Sequence, residues 1–278
     1  MPRVSVVMAI WDGDSIPFFK SALKSLINQI YADFEVLVVS DGHSKKVFDF
    51  IQNLPEEFHK LDLKHHELPI SSGPAQCWNF GIEVARGEYI VRMDPDDVMR
   101  LDCIFKQVQF MDRNLTIDVC GGQIAEFENE PQDIDRYRYV PLLDLEIKTE
   151  MAKRNTMNHV TVIMRKKSLV DWRYEQLSGF VDYLFWMKLK SYGLVFANLH
   201  DVLVDVRVGN DFIGRRFGIK YAIREVQFCY KCYKRSYINI FDLLRFVFTR
   251  SIVRLMPKSF ALMLYKFVRN SSRPSSKL

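Results

Sequence analysis

Residues 88–98 read EYIVRMDPDDV. Tyr89, Ile90, Val91 and Met93 form a short apolar run broken only by Arg92, the pattern of a strand. Asp94, Asp96 and Asp97 then place three carboxylates within four residues, with Pro95 among them. Pro95 has no N–H to give a sheet ladder, so it marks the strand's end. Three acids at one strand terminus repel one another unless a cation lies between them. Hard divalent metals take such oxygen ligands, together with phosphate oxygens and water. The stretch therefore calls for a sheet with an open carboxyl edge, where α/β sheets bind ligands, and for a metal–diphosphate site on that edge. The competing reading is an acidic turn whose last Asp caps the next helix.

The flanking pattern supplies the sheet. Val4–Ile10 and residues 34–39 are apolar strand candidates, and 61–68 is a third. A helix is expected after the first, capped by Asp14 or Ser15, with Pro17 in its first turn and Phe19, Ala22, Leu23, Leu26, Ile27 and Ile30 at helical spacing. Further helices are expected over 45–54, from the turn at 71–74 through Arg86, and over 102–112. A strand is expected at 116–124, a polar loop at 126–141, a helix at 142–154 and a strand at 157–165. Strand–helix alternation with short connections predicts an α/β fold with a doubly wound, mostly parallel sheet. The 278 residues, 48% of them apolar, suffice for one such domain with an appendage. Mean hydropathy is −0.09 and no apolar run approaches about 18 residues, so no spanning helix is expected. The N-terminus lacks the features of a signal peptide, which predicts a cytoplasmic chain. Five scattered cysteines include Cys229 and Cys232 at C-x-x-C spacing, read as reduced thiols on a helix for want of a second pair.

Gly73, Asn79-Phe80-Gly81, Arg86-Gly87-Glu88-Tyr89-Ile90 and Asp94-Pro95-Asp96-Asp97 follow one another in an order that resembles the family 2 glycosyltransferases. The resemblance covers roughly residues 2–193. It implies a GT-A-like fold and a metal, Mn²⁺ or Mg²⁺, held by Asp96 with Asp94 and Asp97. By the same resemblance Ala9, Ile10 and Trp11 fall on the first nucleotide-binding loop and Asp41 on the acidic pair after the second strand. Gly73 and Asn79 join them as nucleotide-sugar residues. Three departures stand out: Ala9 and Trp11 replace a usual hydroxyl residue and Tyr, Ser40 replaces the first acid of the pair, and Val181 replaces a usual Glu. Trp11 keeps a flat stacking face, whereas Ala9 offers only backbone groups.

The run LSGFVDYLFWMKL at 177–189 resembles the family's acid-Tyr-x-Leu-Trp helix start. The resemblance makes Asp182 the general base that takes a proton from an acceptor hydroxyl as it attacks the anomeric carbon. The plainer reading is a helix cap. Asn158, His159, Trp186 and Arg207 are candidate sugar or acceptor contacts.

Charge divides the chain. From Arg207 onward sixteen Lys or Arg face three acids, a net +13; the preceding residues carry 23 bases against 31 acids, a net −8. The expected organisation is a catalytic domain at 1–206, with a nucleotide-sugar half at 1–98 and an acceptor half at 99–206, then a basic helical tail at 207–278. From Ile238 the tail alternates Phe and Leu with Arg and Lys, and Pro257 divides it into two helices. It reads as an amphipathic extension on a membrane interface, or else as a helix pair packed on the catalytic domain. The resemblance implies a UDP-sugar donor and an undecaprenyl-diphosphate-linked saccharide acceptor at the inner face of the inner membrane, as in O-antigen or capsule assembly. No nucleic-acid motif accompanies the basic charge. A nucleotidyltransferase and a non-catalytic UDP-sugar-binding module are the alternatives. The first lacks a basic, Gly-rich phosphate loop at Trp11-Asp12-Gly13-Asp14, and the second does not require the full Asp set.

Overall fold

The computed structural model describes residues 1–209 and 218–255. Among these residues nine strands form one sheet. Four of them, β3(Asp62–Glu67), β2(Phe34–Ser40), β1(Val4–Ile10) and β4(Tyr89–Met93), run parallel in that spatial order. The sheet continues through β8(Ile163–Arg165), β6(Val119–Phe127) and β9(Phe196–Arg207) to β5(Val98–Met99). There β4–β8, β8–β6 and β9–β5 are antiparallel and β6–β9 is parallel. The sheet is thus mixed, with the doubly wound parallel part at its N-terminal side.

Local chemistry explains the helices. In α1(Ile16–Ile27) the face carrying Phe19, Ala22, Leu23 and Leu26 is buried against strands whose side chains are themselves almost fully buried. Ser15 takes the N-cap position. Between α2(Lys45–Gln52) and β3 the chain makes one short 3-10 turn. Ahead of α3(Pro74–Val84), Gly73 has φ +88°, a conformation that L side chains rarely adopt, and Pro74 starts the helix. Gly81 lets α3 approach β1 closely: a Cβ there would lie 2.4 Å from Val7 Cγ1. α4(Cys103–Arg113) and α5(Asp144–Met151) follow as expected, the latter shorter than the sequence pattern.

Two elements differ from the sequence reading. The polar stretch at 126–141 contains β7(Ile134–Arg138), which pairs antiparallel with the end of β6. Half-buried Ile134, Arg136 and Arg138 alternate with exposed Asp135 and Tyr137, and loop composition hid that period. The expected strand at 157–165 is a 3-10 turn at His159–Thr161 followed by three residues of β8. Thr161 Oγ1 donates to the Asn158 carbonyl at 2.7 Å, a local bond that competes with the ladder.

α6(Val181–Ser191) is buried nearly all round and joins α7(Ile219–Lys234) and α8(Ile240–Leu255) in one apolar cluster. Phe228 of α7 stacks on Phe180 at 4.9 Å and Tyr183 at 4.7 Å, and Phe246 of α8 reaches Tyr183. Helices that the charge pattern assigned to a tail therefore share the core of α6. Cys229 and Cys232 are free thiols buried in this seat, and burial pushes Cys232 up to about 12. Of the expected basic tail, residues 210–217 and 256–278 lie outside the described residues. Among the described residues, no helix is long and apolar enough to cross a membrane.

Candidate active site

Parallel register gathers the site. Ile10 pairs with Ser40 and Met8 with Met93, so the loops that open with Trp11, Asp41 and Asp94 leave one carboxyl edge. The strand order reverses there, since β1 lies between β2 and β4. β8 enters antiparallel beside β4, with Ile163 opposite Val91, and brings His159 to the same edge.

Asp94, Asp96 and Asp97 each offer a carboxylate oxygen, and these oxygens lie within 4.8 Å of one another. The loop is pinned from β9. The Arg207 backbone N–H donates to Asp97 Oδ1 at 3.0 Å, while its side chain donates to the Asp96 carbonyl and lies over Phe18 and Phe127. Asp97 is only 2% exposed, and its Oδ2 has no hydrogen-bond partner. A buried carboxylate oxygen without a donor is costly. Burial first, then the Asp94 and Asp14 charges, raise Asp96 to about 6. Burial together with Asp94 and Asp96 holds Asp97 well above the usual carboxylate range. A divalent cation would relieve all three effects, and an all-oxygen set suits Mn²⁺ or Mg²⁺. The residues present fit such an ion.

Two groups at this site escaped the sequence reading. Asp14, expected as a helix cap, instead accepts the Trp11 backbone N–H at 2.9 Å. Its carboxyl is raised, chiefly by burial and also by Asp94, which puts a fourth acid beside the cluster. Arg92, visible only as a break in an apolar run, is buried and pairs with Asp94. Its guanidinium lies over the Trp78 ring at 4.7 Å, and its Nε and Nη1 lack acceptors.

Arg92 leads to Asp182. Tyr174 is buried, with its phenol raised by burial, opposed by the Arg92 charge and reinforced by Asp182. Tyr174 OH and His159 Nε2 share a 3.0 Å hydrogen bond, and His159 packs edge-on against Trp78 and Trp186. Burial and Arg92 hold His159 well below its ordinary pKa, so its imidazole is neutral. Asp182 stands in the first turn of α6, half-buried, and accepts from Asn155 Nδ2 at 2.7 Å. Asn155 was not singled out by sequence, because nothing local tells a polar loop Asn from a brace.

The remaining candidates divide by use. Trp11 is 58% exposed and folds over Gly13, leaving a free aromatic face. Ala9 is half-buried at the end of β1. Asp41 accepts the N–H groups of Ser72 and Gly73 at 2.7 and 3.0 Å, and so organises the loop before α3. Asn79 exchanges both ends of its amide with the Tyr174 backbone at 2.9 and 2.8 Å. Asn158 is buried and donates to the Gly122 carbonyl while accepting from Arg138. Trp186 is fully buried with its indole N–H unpartnered. Asn79, Asn158 and Trp186 are thus buried and engaged inside the fold, whereas Asp94, Asp96, Asp14 and Trp11 lie near the buried Asp97 at the carboxyl edge.

A carboxylate trio at the switch point of a mixed α/β sheet, with a further acid at a helix start, fits the GT-A-like fold that the motifs imply. The family model described as Glycosyl transferase family 2 matches residues 5–186, and this chain belongs to that family. It is a glycosyltransferase. It is 34% identical over 269 residues to an uncharacterized glycosyltransferase of Haemophilus influenzae, covering 95% of this chain and 98% of the relative. It is 31% identical over 275 residues to the Escherichia coli UDP-Gal:alpha-D-GlcNAc-diphosphoundecaprenol beta-1,3-galactosyltransferase, covering 96% of each. Among solved structures, Staphylococcus aureus TarS 1–349 in complex with UDP-GlcNAc aligns with TM-score 0.64 at 20% identity, over 83% of this chain and 66% of that one. A Pyrobaculum calidifontis mannosyltransferase in complex with GDP-Man and Mn²⁺ aligns with TM-score 0.65 at 18% identity, over 100% and 76%.

Proposed function

We propose that this enzyme transfers a hexose, galactose or glucose, from a UDP-sugar to a saccharide carried on undecaprenyl diphosphate, with inversion and as a β-1,3 linkage, in O-antigen or capsule assembly. The observation that carries the reading is the buried, unpartnered Asp97 Oδ2 within the trio of carboxylates at the carboxyl edge of the sheet. The similarity to the Escherichia coli galactosyltransferase, which is named for UDP-galactose and a diphosphoundecaprenol-linked acceptor, supports the donor and acceptor classes.

Asp94, Asp96 and Asp97 would hold Mn²⁺ or Mg²⁺, which when bound supplies positive charge against the departing diphosphate. The exposed face of Trp11 offers a stacking surface to the uracil, beside the loop that Asp41 organises. Asp182 accepts the proton of the acceptor hydroxyl as that oxygen bonds to the anomeric carbon. The bond from that carbon to the diphosphate oxygen breaks, and UDP leaves with the electron pair. The anomeric centre inverts, so an α-linked donor yields a β linkage. In this reading residues 1–98 hold the nucleotide sugar, 99–206 the acceptor, and the basic segment from 207 keeps the enzyme peripheral on the inner face of the inner membrane, where the acceptor lies.

The test is donor hydrolysis. Purified full chain with Mn²⁺ receives UDP-galactose, UDP-glucose, UDP-N-acetylglucosamine and UDP-N-acetylgalactosamine separately, and UDP release is followed with and without chelator. Chelator-sensitive release from a UDP-hexose is the expected result. If calorimetry shows tight, metal-dependent binding of GDP and none of UDP, the donor assignment is wrong.

A further inference from the structure

The outward face of α7 is an apolar stripe. Ile219, Ile223, Val226, Tyr230 and Tyr233 are all exposed, Ile219 to 67% and Tyr230 to 52%. They recur at intervals of four, three, four and three residues, which at 3.6 residues per turn keeps them in one narrow band. Ala222, Glu225, Phe228, Cys229 and Cys232 face the core on the opposite side. Lys220, Arg224, Lys231 and Lys234 run along one margin of the stripe. The acid of α7, Glu225, is buried against Arg250, so no carboxylate of this helix reaches the surface. α8 repeats the arrangement: Phe246 points inward, while Phe241, Leu244 and Phe248 stand outward, Phe241 at 78%. Over residues 218–250 bases outnumber acids seven to two.

Among the described residues, nothing covers the apolar stripe of α7. Its core face is already seated by Phe228, so the exposed stripe is not needed for packing. Large apolar side chains beside a basic margin match the layers of an anionic bilayer, in which acyl chains lie beneath phosphates. Tyr230 and Tyr233 suit the boundary, since each has an apolar ring and a polar tip.

We propose that the outward faces of α7 and α8 dock flat on an anionic lipid bilayer, with the stripe in the headgroup region and Lys220, Arg224 and Lys234 against lipid phosphates. The inference rests on the lipid-linked acceptor of the preceding reading for its purpose, and on an independent observation for its location. The docking surface takes in α7 as well as α8, and so lies partly ahead of the Phe- and Leu-rich pattern that starts at Ile238. Seating through α6 has a further consequence. Asp182 and the docking helices belong to one packed unit, Tyr183 beside Asp182 touching both Phe228 and Phe246. The base is then held in a fixed orientation to the membrane that presents its acceptor.

Truncation at residue 238 would remove Ile238 and Phe246 from the core, so surface substitutions are the cleaner test. Full chain is sedimented with vesicles of phosphatidylethanolamine containing about one third phosphatidylglycerol, and with vesicles of phosphatidylcholine alone. The native protein should bind the anionic vesicles at least about tenfold more tightly, and lose that preference in high salt. The double variant Ile223→Glu, Tyr230→Glu should bind at least about tenfold more weakly, because two carboxylates would enter the headgroup layer. Lys220→Glu with Arg224→Glu should weaken binding to anionic vesicles alone. Unchanged melting and unchanged donor hydrolysis show that the variants are folded. The vesicles carry no saccharide lipid, so their binding does not depend on the transferase assignment, and donor hydrolysis tests that assignment separately. Equal binding by native and variant chains overturns the proposal. So does a native chain that ignores vesicles but self-associates in sedimentation velocity and is separated by Ile223→Glu, which would make the face a contact between two copies.

Discussion

The side-chain amide of Asn155 donates to Asp182 Oδ2 at 2.7 Å, while its own oxygen accepts the Met157 N–H at 3.2 Å. The second bond fixes which end of the amide faces the acid, so Asp182 is held by a donor that cannot turn away. Replacing Asp182 by Asn removes the proton acceptor, while its amide oxygen can still accept from Asn155. Transfer by Asp182→Asn should fall at least ~100-fold, the usual range for losing a general base, with UDP affinity by calorimetry nearly unchanged. Transfer close to native would remove Asp182 from the reaction.

Asp97 is the cation test. Asp97→Asn keeps the shape of the loop and its bond from Arg207 but removes a buried charge beside two others. Mn²⁺ affinity, read by calorimetry without donor, should drop at least about tenfold, as expected for losing an anionic oxygen ligand. In chelator the variant should melt above the native chain at pH 7, since like charges no longer crowd the loop. A lower melting point with unchanged Mn²⁺ affinity would mean that Asp97 serves the loop and not an ion.

Acid sensitivity should come from Glu35. Its side chain is buried, which alone would raise its pKa, but bonds from Lys64, the Arg86 backbone and Ser5 outweigh burial and lower it to about 2. The folded value lies below the unfolded one, so this stabilisation is full above about pH 4.5 and is lost as pH falls toward 2. Lys64 and the Arg86 side chain are partly exposed, and screening trims the contribution to roughly 2 kcal/mol. Glu35→Gln should flatten the fall in urea midpoint between pH 5 and 3, a window set by these values. A parallel fall in both chains would assign the acid limb elsewhere.

Phe228 and Phe248 should separate packing from surface. Phe228 is 2% exposed among Phe180 and Tyr183, and Phe248 is 70% exposed. Phe228→Ala should cost about 3–5 kcal/mol in urea unfolding and Phe248→Ala less than about 0.5. Comparable losses would show that the seat of α7 on α6 contributes little.

The acidic trio was legible because its members are neighbours in the chain, and a strand that ends in Pro-flanked acids leaves few other arrangements. Asp182 stood out for a similar reason, as an acid at the start of an aromatic helix, and its role as base is the proposal tested above. The family and its α/β fold followed from ordered local motifs of that kind. Asn79, Asn158 and Trp186 lie close to the same motifs, yet their side chains turn to the Tyr174 backbone, to Gly122 and Arg138, and into the core. No local pattern reports such partners, because 95 residues separate Asn79 from Tyr174.

What the sequence determined by itself was short-range: strand and helix periods, the acids at one strand's end, and the excess of base after residue 206. Only tertiary structure decided which of these meet. Parallel register put Trp11, Asp41 and Asp94 on one edge, β9 pinned Asp97 through Arg207, and Phe228 seated a basic helix with its apolar stripe still outward. The physical reason is that burial, charge crowding and helix faces depend on what the chain brings near from far along its length, and one stretch of sequence does not contain its distant neighbours.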